Sequence, residues 1–170
     1  MATVCDVMSL TGENRILVKE GLKRIRHTKN IGLQALMQAC NVQPENISAY
    51  HFGYVLGPCV NATGRLDTAR HALRLFETGQ ETEAEEIARD LVDLNQERKE
   101  LTLQGVEMAK KLCEEGGYEN DPVLVLFLPD VHESIAGLIA GRIREMYNRQ
   151  PPPEQRRLGT PFTGLGHRNG

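Results

Sequence analysis

The chain has 170 residues, 40% of them hydrophobic and 25% charged, with a formal net charge of −3. That is one ordinary domain or two small ones with a buried core, and the acidic balance excludes a general polyanion binder, so any nucleic-acid contact must come from a local patch. No apolar run reaches the length of a membrane span and the start lacks the basic region of a signal peptide. The four cysteines (Cys5, Cys40, Cys59, Cys113) form no CxxC pair, which argues against zinc and for a reduced cytoplasmic compartment.

In chain order, ATVCDVMSL (2–10) is short, β-branched and apolar and reads as a buried strand or its end. A turn at Thr11–Asn14 leads into a helix over 14–27, with Ile16, Leu17, Leu22 and Ile25 inward and Lys19, Lys23 and Arg26 outward. Helices follow at 31–40 and 44–54, then a loop, GPCVNATGR, and a helix over 66–76 that Gly79 closes. Apolar residues at steps of three and four then predict one long helix over about 81–114, acidic near its start. Gly116-Gly117 stops it. VLVLFL (123–128), bounded by Pro122 and Pro129, predicts a fully buried strand, and a turn through His132 opens a helix whose Gly137, Ala140 and Gly141 should pack on a sheet. The tail, 150–170, is rich in Pro and Gly without periodicity and reads as disordered.

Three places could carry chemistry. Asp6 leaves an apolar run and is either a turn residue or a metal ligand, because ligands gather at strand ends. Asn61 and Arg65 lie in the loop before a helix. The arginine either pairs with a carboxylate or contacts an anion through its paired donors. His132 stands at a helix N-terminus, where phosphate is attracted, or is structural.

Together these segments resemble the RecJ-type single-stranded-DNA exonucleases of the DHH phosphoesterase superfamily. Thr3-Val4-Cys5-Asp6 is similar to the family's Thr-Val-Ala-Asp segment. GPCVNATGRL (57–66) is similar to its Gly-Pro-Arg-x-Asn-Ala-x-Gly-Arg-Leu loop, and VHESIAGLIAGRI (131–143) to the segment that opens its second domain, DHHA1. LVDLNQERK (91–99) is similar to its long linker helix. The resemblance implies a mostly helical α/β fragment: the C-terminal part of a DHH domain at 1–80, a linker helix at 81–115, the first strand and helix of DHHA1 at 116–149, and an out-of-frame or disordered tail at 150–170. It also implies a Mn2+- or Mg2+-dependent hydrolase acting 5′ to 3′ on single-stranded DNA in repair and recombination, with single-strand-binding protein or a helicase as further partners. Asp6 would be a metal ligand and, with His132, catalytic. Asn61, Arg65 and His132 would contact the DNA backbone across an interdomain cleft.

The sequence also departs from the family pattern. The family's Asp-His-His motif lies upstream of the Thr-Val-Ala-Asp segment, and a two-metal site needs several ligands, so Asp6 alone implies an inactive fragment. Cys59 replaces an arginine and would remove one positive charge from the cleft; Val131 replaces a tryptophan and Ser134 a glycine. Two other readings follow: a non-catalytic scaffold or nucleic-acid-binding module, and a phosphoesterase acting on short oligonucleotides or cyclic dinucleotides.

Overall fold

The structure is a computed structural model that describes residues 1–66, 69–118, 121 and 123–147, without the side chains of residues 65 and 66. The expectation for 150–170 lies outside them. The described residues hold helices and no strand: α1 (Ala2–Cys5), α2 (Gly12–Ile25), α3 (Ile31–Ala39), a 3-10 turn (Pro44–Asn46), α4 (Ala49–His51), a π-turn (Phe52–Leu56), α5 (Gly57–Leu66), α6 (Ala69–Glu77), α7 (Glu81–Gly116) and α8 (Glu133–Met146). The chain divides into two units, Met1–Arg98 and Lys99–Gly170.

In the first unit the largest fully buried side chains are Leu36, Ile47, Leu56, Thr63, Leu75 and Leu91, drawn from α3, the residue after the 3-10 turn, the π-turn, α5, α6 and the first half of α7. Asn30 joins two of these helices. Its side-chain oxygen accepts from the Leu33 N–H at 2.9 Å to cap α3, and its amide donates to the Phe76 carbonyl at 2.9 Å at the end of α6. The backbones of α3 and α6 meet at Gly32, where a Cβ would run into the Leu75 carbonyl. At the start of α7, Arg74 donates twice to Glu83 (2.6 and 2.9 Å), and Thr78 donates to the same carboxylate. These hydrogen bonds, the arginine's first, hold the Glu83 carboxyl below the ordinary glutamate range.

Two expectations for this unit are corrected. Residues 2–10 form no strand; α1 is a single helical turn, and Val7 follows it at φ 53°, 89% exposed. A strand needs a partner for its backbone groups, and the described residues offer none, so the segment closes its own hydrogen bonds instead. The inward face of α2 is narrower than its pattern: Ile25 is buried, whereas Ile16 and Leu17 are exposed.

The loop GPCVNATGR is helix. Residues 49–66 are helical without a break, and Pro58 explains the π-turn inside them. A proline has no N–H, so the carbonyl four residues back loses its donor. The Gly57 N–H therefore reaches Phe52, five residues back, and the local winding loosens to a π-turn. The Cys5 thiol donates to the same Phe52 carbonyl at 3.4 Å, which seats α1 against the turn, and a Cβ on residue 57 would meet both groups. Burial pushes the Cys5 pKa up, so it remains a thiol.

In the second unit α8 packs Ile135, Ile139 and Ile143 against Val106 and Ala109 of α7. The predicted fully buried strand is corrected: 123–128 pairs with no strand among the described residues, and its side chains alternate. Leu124, Leu126 and Leu128 join the core, while Val123, Val125 and Phe127 are 70%, 83% and 71% exposed. One covered face and no ladder account for a run that reads as buried on both sides. Gly137 and Ala140 lie on the exposed side of α8, away from that core. Gly116-Gly117 does end α7, with Gly117 at φ 67°.

Two outcomes follow. Gly57→Ala should destabilise the first unit by about 1–3 kcal/mol, read from a melting or urea curve, because the new methyl has backbone on one side and the Cys5 sulfur on the other. Lowered in the fold, the Glu83 pKa gives stability that is complete above the unfolded value of about 4.3 and lost as pH falls through the folded value. The stability gap between the unchanged chain and Glu83→Gln should therefore be widest near neutrality and close in acid.

Candidate nucleic-acid interface

The continuous helical run 49–66 has a buried side and an open one. Phe52, Leu56, Cys59, Ala62 and Thr63 face the core. Cys59, 3% exposed, donates to the Val55 carbonyl at 3.2 Å and accepts from the Asn95 side-chain amide of α7 at 3.5 Å. Position 59 thus acts on packing in this chain, not on the charge of an open surface. Thr63 turns its hydroxyl back to the Val60 carbonyl at 2.8 Å, which satisfies it inside the core.

The open side carries Tyr50, Tyr54, Asn61 and Gly64. Arg65 is four residues beyond Asn61 on α5, a spacing that returns to one helix face; its side chain is outside the described residues. No aspartate or glutamate occurs between Glu45 and Asp67, although the chain has 23 of them. This helix therefore carries no carboxylate of its own. The groove between α6 and α7 is the opposite: its lining of His71, Asp90, Asp93, Leu94 and Glu97 sets three carboxylates around one imidazole.

Asp6 is exposed at the C-terminus of α1, and α1 packs on α5, so Asp6 and Asn61 belong to the same unit. No group of three His, Cys, Asp or Glu side chains that could hold a metal ion occurs among the described residues. Asp6 by itself is one carboxylate, and these residues do not fit a divalent metal site.

His132 belongs to the second unit, where it caps α8. Its Nδ1 accepts from the Ser134 N–H at 3.3 Å and lies 2.7 Å from the Ser134 hydroxyl, so the ring does the work that Asn or Asp does at other helix starts. The structural and phosphate-facing readings of this histidine are compatible, because Nε2 is left for another partner. Sequence reading passed over Tyr50 and Tyr54; their i, i+4 spacing on a helix was the available signal.

Comparison with known proteins gives one class for both sequence and fold: single-stranded-DNA-specific exonucleases. The resemblance is to RecJ. The chain is 36% identical over 154 residues to RecJ of Escherichia coli, which covers 88% of this chain and 26% of that protein. It is 35% identical over 145 residues to RecJ of Thermus thermophilus, covering 85% and 21%. The crystal structure of Thermus thermophilus RecJ in complex with Mn2+ superposes with a TM-score of 0.74 at 35% identity, over 86% of this chain and 22% of that one. The same protein in complex with Mg2+ gives a TM-score of 0.75. No protein-family model matches the chain. The chain spans about a quarter of the length of the curated relatives it matches. No described helix is long and apolar enough to cross a membrane.

His132→Ala should expose the first amides of α8 to faster hydrogen exchange and cost the second unit about 0.5–2 kcal/mol, whereas His132→Asn should keep most of the protection. Unchanged exchange at Ser134 and Ile135 in the alanine variant would show that the cap carries no weight.

Proposed function

We propose that this chain is the RecJ-type segment that binds the backbone of single-stranded DNA through the open side of α5, with Asn61 and Arg65 as its polar contacts and His132 as a further contact from the second unit. The observation that carries this reading is the likeness in sequence and fold to RecJ across the stretch that holds GPCVNATGRL, on a helix free of carboxylates. The finer assignments go with it: 1–80 as the end of a DHH domain, 81–115 as linker helix, 116–149 as the start of DHHA1, and a role in 5′-to-3′ degradation during repair and recombination.

As a second reading, the chain on its own is a non-catalytic nucleic-acid-binding module, since a two-metal hydrolase needs several ligands. Asp6 supplies at most a single carboxylate, and no chemical step is assigned to a metal here.

The test has two parts. With Mn2+ added, the purified chain should release no nucleotides from single-stranded DNA; release that Asp6→Ala abolishes would overturn the binding-module reading. Binding to labelled oligo(dT) should weaken with salt, and Arg65→Ala should make the log–log slope shallower by about 0.7, one phosphate contact on a single strand, without changing the melting temperature. A large drop in melting temperature with an unchanged slope would assign Arg65 to the structure of the helix.

A further inference from the structure

Two of the four tyrosines stand where the fold does not need them. Tyr50 and Tyr54 are 62% and 74% exposed, in a chain with four phenylalanines and no tryptophan. Their rings stack on each other, with centroids 5.1 Å apart and planes at 27°. His51 meets Tyr50 edge-on at 5.7 Å and 86°, and is itself held, because its Nδ1 accepts from the Ser48 N–H at 3.2 Å. Pairing at i, i+4 helps a helix only slightly and does not require two large apolar ring faces in water. Asn61, seven residues after Tyr54 on the same helical run, is exposed as well, and Arg65 follows it by four residues in the sequence.

We propose that Tyr50 and Tyr54 are a base-stacking platform for single-stranded DNA, leading into the backbone contacts at Asn61 and Arg65. This rests on the binding function proposed above and adds the part of the substrate that it leaves unread. An aromatic ring stacks on any base, so the platform tolerates sequence, as degradation of arbitrary DNA requires. It selects unpaired strands, because the faces of bases inside a duplex are covered by their neighbours. The absence of Asp and Glu from residues 46–66 means that the helix's own side chains do not repel the phosphates that join stacked bases.

The experiment is a binding titration of the full chain with fluorescein-labelled oligo(dT) of about fifteen residues, long enough to cover one single-strand site, and with an abasic sugar-phosphate oligomer of equal length, at low salt. Tyr50→Ala and Tyr54→Ala should each weaken oligo(dT) binding by roughly five- to 150-fold, the equilibrium factor that corresponds to one base stack, and leave the abasic oligomer unaffected. Tyr54→Phe should retain most of the affinity. Tyr54→Leu, which keeps apolar bulk and helix propensity, should lose it, so the result does not hang on whether the alanine variants fold. Oligo(dT) affinity that is unchanged in the Tyr50→Ala/Tyr54→Ala double variant, or equal losses on both oligomers, would overturn the platform. If Arg65→Ala alone weakens both oligomers, the backbone reading stands without it; if the unchanged chain binds neither, both fail.

Discussion

Proline's missing N–H is the constraint from which the first unit is built outward. At position 58 it removes one hydrogen bond from a helix that otherwise runs from Ala49 to Leu66. The helix absorbs the loss by reaching one residue further back, from Gly57 to Phe52, and the same carbonyl then also takes the Cys5 thiol. One backbone oxygen thus ties α1 to the helix and sets the rotation of everything after it. Because the turn is loosened before α5 begins, Cys59, Ala62 and Thr63 come round to the core and Asn61 to the outside. An uninterrupted α-helix through the same residues would place these side chains at different angles.

Burial on the inner side makes that orientation costly to change. Cys59 is held by the Val55 carbonyl and by Asn95, and Asn95 in turn accepts from Arg98 at 3.0 Å, so a buried polar position of α7 is satisfied from both directions. A polar group left unpaired there would carry its full desolvation penalty, and rotating α5 would leave several at once. A small residue at 59 fits this site; a long cationic one would have to reach out of the core or displace Asn95.

How much was legible in the sequence follows from what each element depends on. α7 was read almost to its ends, because ten turns of apolar spacing and a Gly-Gly stop are properties of the helix itself. α3 and the helix after His132 were read for the same reason. The strands were not. VLVLFL has the composition of a strand, and its alternating exposure is that of a strand, but a ladder is made by two segments and the described residues supply one. ATVCDVMSL failed in the same way. The loop reading of GPCVNATGR failed differently: Gly-Pro marks a turn in most contexts, but proline is tolerated in the first turn of a helix, and only packing decides between the two. As for the candidate site, Asn61 and Arg65 are proposed from the motif and its likeness to RecJ. The exposed tyrosines were missed because two aromatic residues at helical spacing read as core until their burial is known.

The remaining physical question is whether a net charge of −3 is compatible with the contact to a phosphate backbone proposed above. The answer lies in where the charges are placed. Glu81, Glu83, Glu85, Glu86, Asp90, Asp93 and Glu97 are gathered on the first half of α7, where the positive end of the helix dipole favours the earliest of them. Glu83 is further neutralised by Arg74, and Asp90 faces His71 at 3.2 Å. Residues 46–66 carry none. At physiological salt a field decays over about 8 Å, so a phosphate against the open side of α5 responds to the groups on that helix far more than to the total charge. Segregation of this kind needs no basic excess. The surface proposed above would need one guanidinium, neutral polar neighbours and ring faces along one helix, and binding through it would weaken with salt.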